Sequence, residues 1–146
     1  MKAAFLDTSG WFAALSPREA LHREALAVYQ GWIEGKTNLV TTNLVLAEMQ
    51  ILLMRFRGPE AGVRFLERVY QDPSHDVVFV DRDLERAAVE RWLRRFSDLS
   101  LSLADAVSFE VMHRRRIDRV LALDDHFAAA GFDLKPELPR RPARRS

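Results

Sequence analysis

The stretch AAFLDTSGWFAAL, residues 3–15, contains an apolar run, an aspartate and then an apolar pattern with helical spacing. A short, non-alternating apolar run is typical of a strand that is covered on both faces. Asp7 therefore stands where the chain leaves a predicted buried strand. Two interpretations are open: the carboxylate caps the following helix, or it is one of several carboxylates that surround a metal ion.

Strands and helices are predicted to alternate along the whole chain. Three further segments have the same short aliphatic character, and apolar stripes with helical period lie between them. The predicted strands are residues 2–6, 38–42, 77–80 and 119–123. This order predicts an α/β fold, a three-layer α/β/α sandwich around a central, mainly parallel sheet of four to five strands. Ligands bind such sheets beyond the carboxyl ends of the strands, where Asp7, Asp81 and Asp124 stand.

Length and composition predict one domain over residues 1–135. The chain has 146 residues, of which 48% are hydrophobic, enough for a substantial core. No apolar run reaches the ~20 residues that span a bilayer, and no signal peptide is recognisable, so we expect a cytoplasmic protein without membrane contact. The absence of cysteine excludes disulfides, thiolate catalysis and cysteine-based zinc sites. The composition of residues 136–146 predicts a basic Pro/Arg-rich tail that is disordered.

Glu48 lies in a segment, residues 44–54, whose other polar residue is Gln50. We interpret the segment as a buried helix that Thr42 or Asn43 caps. An ionised glutamate there is costly unless it is paired or bound to a metal. No lysine or arginine stands three or four residues away, so a salt bridge within the helix is not available. A glutamate that faces solvent, or that pairs with a distant arginine, is the alternative.

Asp105 has a structural explanation and a chemical one. Ser102 and Asp105 have the spacing of a capping box, which accounts for the aspartate by itself. A carboxylate in the first turn of a helix also points toward the open edge of the sheet. Ser108, one turn further along, is placed to hydrogen-bond a metal ligand.

Four acids thus stand near strand ends or helix starts. If they converge, mutual repulsion raises their pKa values unless a cation is present. An all-oxygen set selects Mg²⁺ or Mn²⁺, which polarise phosphoryl oxygens and activate water. The four are Asp7, Glu48, Asp105 and Asp124.

At this point the sequence resembles the PIN-domain ribonucleases, close to the VapC-like toxins of bacterial type II toxin–antitoxin pairs. The similarity covers about residues 3–134 and rests on FLDTSGWFAAL, LVTTNLVLAEMQILLMR, LSLADAVSFEVMHRRRIDRVLALDDHF and AAGFDL. It implies a metal-dependent endoribonuclease that hydrolyses RNA phosphodiester bonds with Mg²⁺ or Mn²⁺, leaving 5′-phosphate and 3′-hydroxyl ends. It further implies a small antitoxin partner that covers the acidic pocket, and a homodimer. The resemblance assigns the metal-binding and catalytic roles to Asp7, Glu48, Asp105 and Asp124, with the Ser9 hydroxyl beside the first.

The chain departs from the family at three positions. Ala104 and Ala122 stand where the family often has a hydroxyl residue, and loss of those hydroxyls would weaken the support of the metal ligands. Arg116 replaces a frequent glycine at a helix end, which concerns the turn more than the chemistry.

Other residues are open to functional and structural interpretations. We interpret Asp81 as an N-cap, and Asp125 as the nearest alternative to Asp124. His126 is expected to orient its loop or to pack beside Phe127, and a ligand role is the less favoured interpretation. The basic run of residues 114–116, whose members are Arg114, Arg115 and Arg116, either contacts RNA phosphates or forms a solvated helix end.

Several other functions fit part of the pattern. A phosphatase with Asp7 as nucleophile would need a second aspartate two residues on, which LDTS lacks, and a receiver-like domain would need a better phosphoacceptor than Asp81. A PIN-fold nuclease of housekeeping RNA processing is the main alternative to a toxin. A catalytically weak RNA-binding module is the non-enzymatic alternative, which the alanines at positions 104 and 122 favour.

Overall fold

The structure is a computed structural model that describes residues 2–138 of the chain. The predicted basic tail begins at residue 136. Its residues 139–146 lie outside the described part, so the tail's disorder stays a prediction.

One five-stranded sheet, parallel throughout, forms the centre of residues 2–138. Its strand order is β3-β2-β1-β4-β5, so the first strand is the middle one. Phe5 of the middle strand pairs with Val40 on one side and with Val120 on the other. All three are buried, as the short apolar runs predict. The strands are β1 (Ala3–Leu6), β2 (Asn38–Thr42), β3 (His75–Val78), β4 (Arg119–Leu121) and β5 (Asp133–Lys135).

Helices connect the strands in the described part of the chain. They are α1 (Thr8–Leu15), α2 (His22–Glu34), α3 (Asn43–Arg57), α4 (Pro59–Gln71), α5 (Arg82–Ala88), α6 (Leu103–Arg115) and α7 (His126–Ala129). A π-helical segment, Val89–Leu93, extends α5. Within residues 2–138 no helix has the combination of length and apolar character that crossing a membrane requires.

The helices form two layers because the chain changes direction across the sheet. From β1 it proceeds outward through β2 to β3, and it then returns to place β4 on the other side of β1. Right-handed crossovers in these two directions put α1 to α4 on one face and α5 and α6 on the other. The packing agrees: α1 contacts α2 and α3, α3 contacts α4, and α5 contacts α6. The predicted three-layer α/β/α sandwich is confirmed.

Two predicted strands end earlier than their aliphatic sequence indicates. The third is β3, which ends at Val78, and the fourth is β4, which ends at Leu121. Beyond these ends the backbone binds side chains: the N–H of Val80 donates to Asn43 Oδ1 at 2.9 Å. Likewise the N–H of Leu123 donates to Ser9 Oγ at 2.9 Å. Side-chain acceptors, which hydrophobic patterns do not reveal, therefore terminate the ladders.

The interpretation of α3 as a helix buried all round is wrong. One face packs against the core through Val45 and Met49, among others. The apolar residues Ile51 and Phe56 are exposed on the other side, Phe56 at 69%. Glu48 is exposed as well. The error arises because apolar composition does not distinguish a buried face from an exposed apolar one.

Gly10 allows α1 to approach the end of β4 closely. A Cβ atom built on Gly10 would lie 2.5 Å from the carbonyl carbon of Leu121 and 2.5 Å from the backbone nitrogen of Ala122. No side chain fits in that space, so only glycine permits this contact. The start of α1, including Asp7, is thereby held beside the segment that leads from β4 to Asp124.

Candidate metal centre

The candidate site lies at the carboxyl edge of the sheet, between β1 and β4. The connections from these two neighbouring strands diverge to opposite faces, and ligands bind α/β sheets at such a point. The N–H of Asp7 donates to the carbonyl of Leu121 at 3.1 Å, which fixes the end of β1 against β4. Asp7 and Asp124, which are 117 positions apart in the chain, are thus brought to the same edge.

Asp7 is both a helix cap and a buried carboxylate that faces the other acids. Its Oδ2 accepts hydrogen bonds from the Ser9 N–H at 3.3 Å and from Ser9 Oγ at 2.8 Å. The same Ser9 hydroxyl accepts the N–H of Leu123, so one side chain connects Asp7 to the segment after β4. The cap and the chemical interpretation of Asp7 are therefore compatible.

Glu48 reaches the site from α3, which starts at the carboxyl end of β2. The Thr8 hydroxyl donates to Glu48 Oε1 at 3.2 Å, which places this carboxylate next to the start of α1. Thr42 is the residue that caps α3, accepting the N–H of Val45 at 3.2 Å. Glu48 is solvent-exposed, and it is close enough to Asp7 for its charge to raise the pKa of that carboxyl group. Among residues 2–138 no arginine forms an ion pair with Glu48.

Asp105 and Asp124 complete the acidic group. The capping box is present: Ser102 Oγ accepts the Asp105 N–H at 3.1 Å, and Asp105 Oδ2 accepts the Ser102 N–H at 3.4 Å. Asp124 lies in the loop before α7, and its Oδ1 accepts the N–H of His126 at 2.9 Å. One potential ligand atom from each of three side chains lies within 4.8 Å of the other two; the residues are Asp105, Asp124 and His126.

The electrostatics show that the acids share one environment. Burial, reinforced by the charges of Asp105 and Glu48 and opposed by Ser9, raises the pKa of Asp7 to about 7. Desolvation raises the pKa of Glu48, and Asp105 adds to this rise while Thr8 opposes it. Burial also raises the pKa of Asp105, where Asp124 repels the charge and Ser102 and His126 favour it. The carboxylates therefore repel one another across the site.

The donor set fits a hard divalent cation. Among residues 2–138 no lysine or arginine forms an ion pair with any of the four acids, and the one basic side chain close to them is His126. Carboxylate oxygens that are drawn together without a neutralising partner are the ligands that Mg²⁺ and Mn²⁺ prefer. The residues present are thus suitable for such an ion, and the metal-binding role itself stays a prediction.

Two groups of predicted residues do not have the expected surroundings. The Ser108 hydroxyl donates to the Ala104 carbonyl at 2.8 Å, so its proton is not available to a metal-binding carboxylate. Arg114 and Arg115 form ion pairs with Glu110 and Asp76 at the far end of α6 from Asp105. Their contact with RNA stays a prediction that this placement does not favour.

Arg116 adopts a left-handed conformation, with φ of 54°, at the end of α6. This is the conformation for which a glycine is favoured. Asp81 caps α5 as predicted, accepting the N–H of Leu84 at 2.8 Å.

Sequence reasoning missed Glu110, which is 1% exposed in the middle of α6. Its carboxylate accepts hydrogen bonds from Arg91 Nε at 2.8 Å, Trp92 Nε1 at 3.1 Å and Arg114 Nε at 3.1 Å. The bonds from Arg91 and Trp92 hold α6, which carries Asp105, against the π-helical segment, whereas the bond from Arg114 lies within α6. The one available signal was the spacing of four between Glu110 and Arg114.

A family model for the PIN domain matches residues 4–133 of the chain. Among curated proteins, the 23S rRNA-specific endonuclease VapC20 of Mycobacterium tuberculosis is 36% identical over 134 residues, which cover 91% of this chain and 98% of VapC20. A VapC ribonuclease of Archaeoglobus fulgidus is 28% identical over 127 residues, covering 86% of this chain and 80% of that protein.

Solved structures show the same similarity. The crystal structure of M. tuberculosis VapC20, described as a toxin that cleaves the sarcin–ricin loop, has a TM-score of 0.77 and 34% identity, covering 90% of this chain and 97% of VapC20. FitAcB from Neisseria gonorrhoeae has a TM-score of 0.64 with 17% identity, over 90% of this chain and 95% of that one. The second likeness concerns the fold alone.

Proposed function

The chain belongs to the PIN-domain family, and from that membership we propose that it is a metal-dependent endoribonuclease of the VapC type. One observation carries the proposal: four carboxylates from distant parts of the chain converge at the switch point of the sheet, and no lysine or arginine of residues 2–138 neutralises them. An acidic group of this kind is suited to phosphodiester hydrolysis only when cations are bound.

The proposed roles follow from the positions of the side chains. Asp7, Glu48, Asp105 and Asp124 hold Mg²⁺ or Mn²⁺, and Ser9 fixes the orientation of the Asp7 carboxylate through its 2.8 Å hydrogen bond. The ion, when bound, polarises the phosphoryl group and lowers the pKa of the attacking water. Glu48 and Asp124 are more exposed than Asp7, so in this proposal the phosphate approaches from their side of the site.

We propose RNA as the substrate, and a structured loop of ribosomal RNA in particular. The relative with 36% identity carries the name of a 23S rRNA-specific endonuclease, and the solved relative is described as cleaving the sarcin–ricin loop. Water is the nucleophile in this proposal, so the 2′-hydroxyl is not required for the reaction. The products then carry 5′-phosphate and 3′-hydroxyl ends.

The proposal also covers the protein's binding partners, its oligomeric state and its location in the cell. A small antitoxin that inserts a basic side chain fits an acidic pocket in which no lysine or arginine of residues 2–138 pairs with the acids. A homodimer and a cytoplasmic location remain part of the same proposal. Exposed apolar side chains on α3, such as Ile51 and Phe56, provide surface for such contacts.

Cleavage of defined RNA tests the proposal. Purified protein, incubated with a sarcin–ricin loop oligonucleotide and Mg²⁺ or Mn²⁺, should cut at one position, and EDTA should stop the reaction. Asp7→Asn and Asp105→Asn should each lower the rate by about a hundredfold or more, because each removes a metal-binding charge. Asp81→Asn is the matched control, since Asp81 caps α5 and asparagine caps equally well, and it should cleave normally.

The same assay separates the alternatives. Cleavage of other RNAs in preference to ribosomal loops would favour a housekeeping PIN nuclease. Specific binding with no cleavage under any metal condition would favour the RNA-binding module and would refute the nuclease. A product with a 2′,3′-cyclic phosphate end would contradict the role of water as nucleophile.

A further inference from the structure

His126 has a place in the site that the acidic quartet does not account for. Its ring Nδ1 lies 3.2 Å from Asp124 Oδ1 and 3.9 Å from Asp105 Oδ2. The side chain is 27% exposed, but Nδ1 itself is buried and forms no hydrogen bond of acceptable geometry within the described chain. A buried polar atom without a partner is costly, so its orientation toward two carboxylates requires an explanation.

The ring is not needed to hold the loop. The backbone N–H of His126 already donates to Asp124 Oδ1 at 2.9 Å, and the aromatic anchor of the loop is Phe127, which is fully buried. His126 was expected to orient its loop or to pack beside Phe127, and it is the backbone N–H of His126 that contributes to the loop. The ring nitrogen remains available for a different partner between the two aspartates.

The spacing of the three atoms is close to that of ligands around one cation. In an octahedral site with bonds of about 2.1 Å, adjacent ligands are about 3.0 Å apart and opposite ones about 4.2 Å. The separation of 3.2 Å is near that of adjacent ligands and the separation of 3.9 Å is near that of opposite ones. The three ligand atoms lie within 4.8 Å of one another, so a bound ion would draw them slightly closer together.

We propose that His126 Nδ1 is a metal ligand, together with Asp105 and Asp124, and that it gives the site a preference for Mn²⁺ over Mg²⁺. Both ions accept carboxylate oxygens, but Mg²⁺ is a hard cation that is bound almost entirely through oxygen. Mn²⁺ is the first member of the transition-metal series in which affinity for nitrogen ligands rises, so an imidazole ligand costs Mn²⁺ less than it costs Mg²⁺. Neutral imidazole binds through Nδ1 and keeps its proton on Nε2. This inference rests on the proposed metal-dependent function, which it extends to the choice of the ion.

Two measurements on the full chain test the inference. Electron spin echo spectroscopy of bound Mn²⁺ should detect coupling to one imidazole ¹⁴N nucleus in the unmodified protein. Calorimetric titration should show that His126→Asn weakens Mn²⁺ binding by roughly tenfold or more but changes Mg²⁺ binding less than about threefold. His126→Asp replaces the imidazole with a carboxylate oxygen ligand, so this variant should bind Mg²⁺ at least as well as the unmodified protein. His113→Asn, on the exposed surface near the end of α6, is the control and should change neither affinity.

The outcomes separate this inference from the proposed function. If Mn²⁺ binds and RNA is cleaved but no ¹⁴N coupling is observed, His126 is not a metal ligand, and the inference is overturned while the nuclease stands. An equal loss of Mn²⁺ and Mg²⁺ affinity in His126→Asn would also overturn it. If the unmodified protein neither binds these metals nor cleaves RNA, the proposed function fails as well.

Discussion

At the scale of single residues, one side chain can serve structure and chemistry together. Asp105 closes the capping box of α6 and also contributes to the acidic group, while Asp7 caps α1 and is 6% exposed among the acids. The structural and chemical interpretations of these aspartates were therefore not alternatives. The first turn of a helix offers N–H groups that stabilise a carboxylate, so it is a suitable place to hold a metal ligand.

The stability of the metal-free protein should depend on the ionisation of Asp7. Its pKa is raised to about 7 in the folded state from 3.8, so the folded state binds this proton more tightly than the unfolded state does. The stability that protonated Asp7 contributes is fully present below about pH 4 and is lost as the pH rises through about 7. In EDTA, raising the pH from 5 to 8 should therefore increase the free energy of unfolding of Asp7→Asn by about 2–3 kcal/mol relative to that of the unmodified protein.

Urea denaturation at several pH values measures this difference. Asp83→Asn, at an exposed position of α5, is the control and should show no such gain. A parallel pH dependence of Asp7→Asn and the unmodified protein would contradict the assignment of a buried, protonated Asp7.

At the scale of elements, the contact between α1 and the end of β4 sets the geometry of the site. Gly10 permits an approach that any Cβ atom would prevent, and Ser9, one residue earlier, bonds to the backbone of Leu123. The helix that follows Asp7 is therefore attached directly to the segment that carries Asp124. Neither Gly10 nor Ser9 belongs to the acidic group, but both determine how close its members lie.

Gly10→Ala should destabilise the protein by about 2–3 kcal/mol, because the new methyl group collides with backbone that cannot move freely. Gly31→Ala, at an open position in α2, is the matched control and should stabilise by about 0.5–1 kcal/mol. Chemical denaturation gives both values. Metal affinity should also fall in Gly10→Ala, since α1 must shift away from β4. Unchanged stability in the Gly10→Ala variant would show that this contact is looser than the structure indicates.

At the scale of the whole molecule, the favourable free energy of folding opposes the electrostatic repulsion among the carboxylates of the site. The fold draws four carboxylates together, and the raised pKa values of three of them express the cost. A bound cation removes that cost, so the structure and its proposed ligand are thermodynamically coupled.

Metal binding should therefore stabilise the protein strongly and specifically. At a metal concentration about one hundred times the dissociation constant, the stabilisation should be about 2.7 kcal/mol, visible as a higher Tm in Mn²⁺ or Mg²⁺ than in EDTA. Asp105→Asn should lose most of this shift, whereas Asp81→Asn should retain it. Binding at pH 7 should also release protons, because Asp7 becomes fully ionised. Equal Tm values with and without metal would contradict a cation site in this group.

The sequence by itself determined the order of the first four strands and of the helices between them, the caps and the four candidate acids, but it did not locate β5 (Asp133–Lys135). These depend on spacing along the chain: an apolar run before Asp7, a Ser-x-x-Asp pair at Asp105, an isolated glutamate at position 48. Hydrophobic period and capping chemistry are local properties, so one sequence suffices to recognise them. The resemblance to PIN-domain ribonucleases added the grouping of the acids, and family membership is confirmed.

Only the tertiary structure decided which groups face one another. It showed that Glu48 is exposed and reached by Thr8, that Ser108 bonds to its own helix, and that His126 Nδ1 lies between two aspartates. Each depends on where a crossover places one element against another, and on which way a side chain turns once it is there. Distances through space of a few ångströms are set by such packing, and no pattern of spacing along the chain encodes them directly.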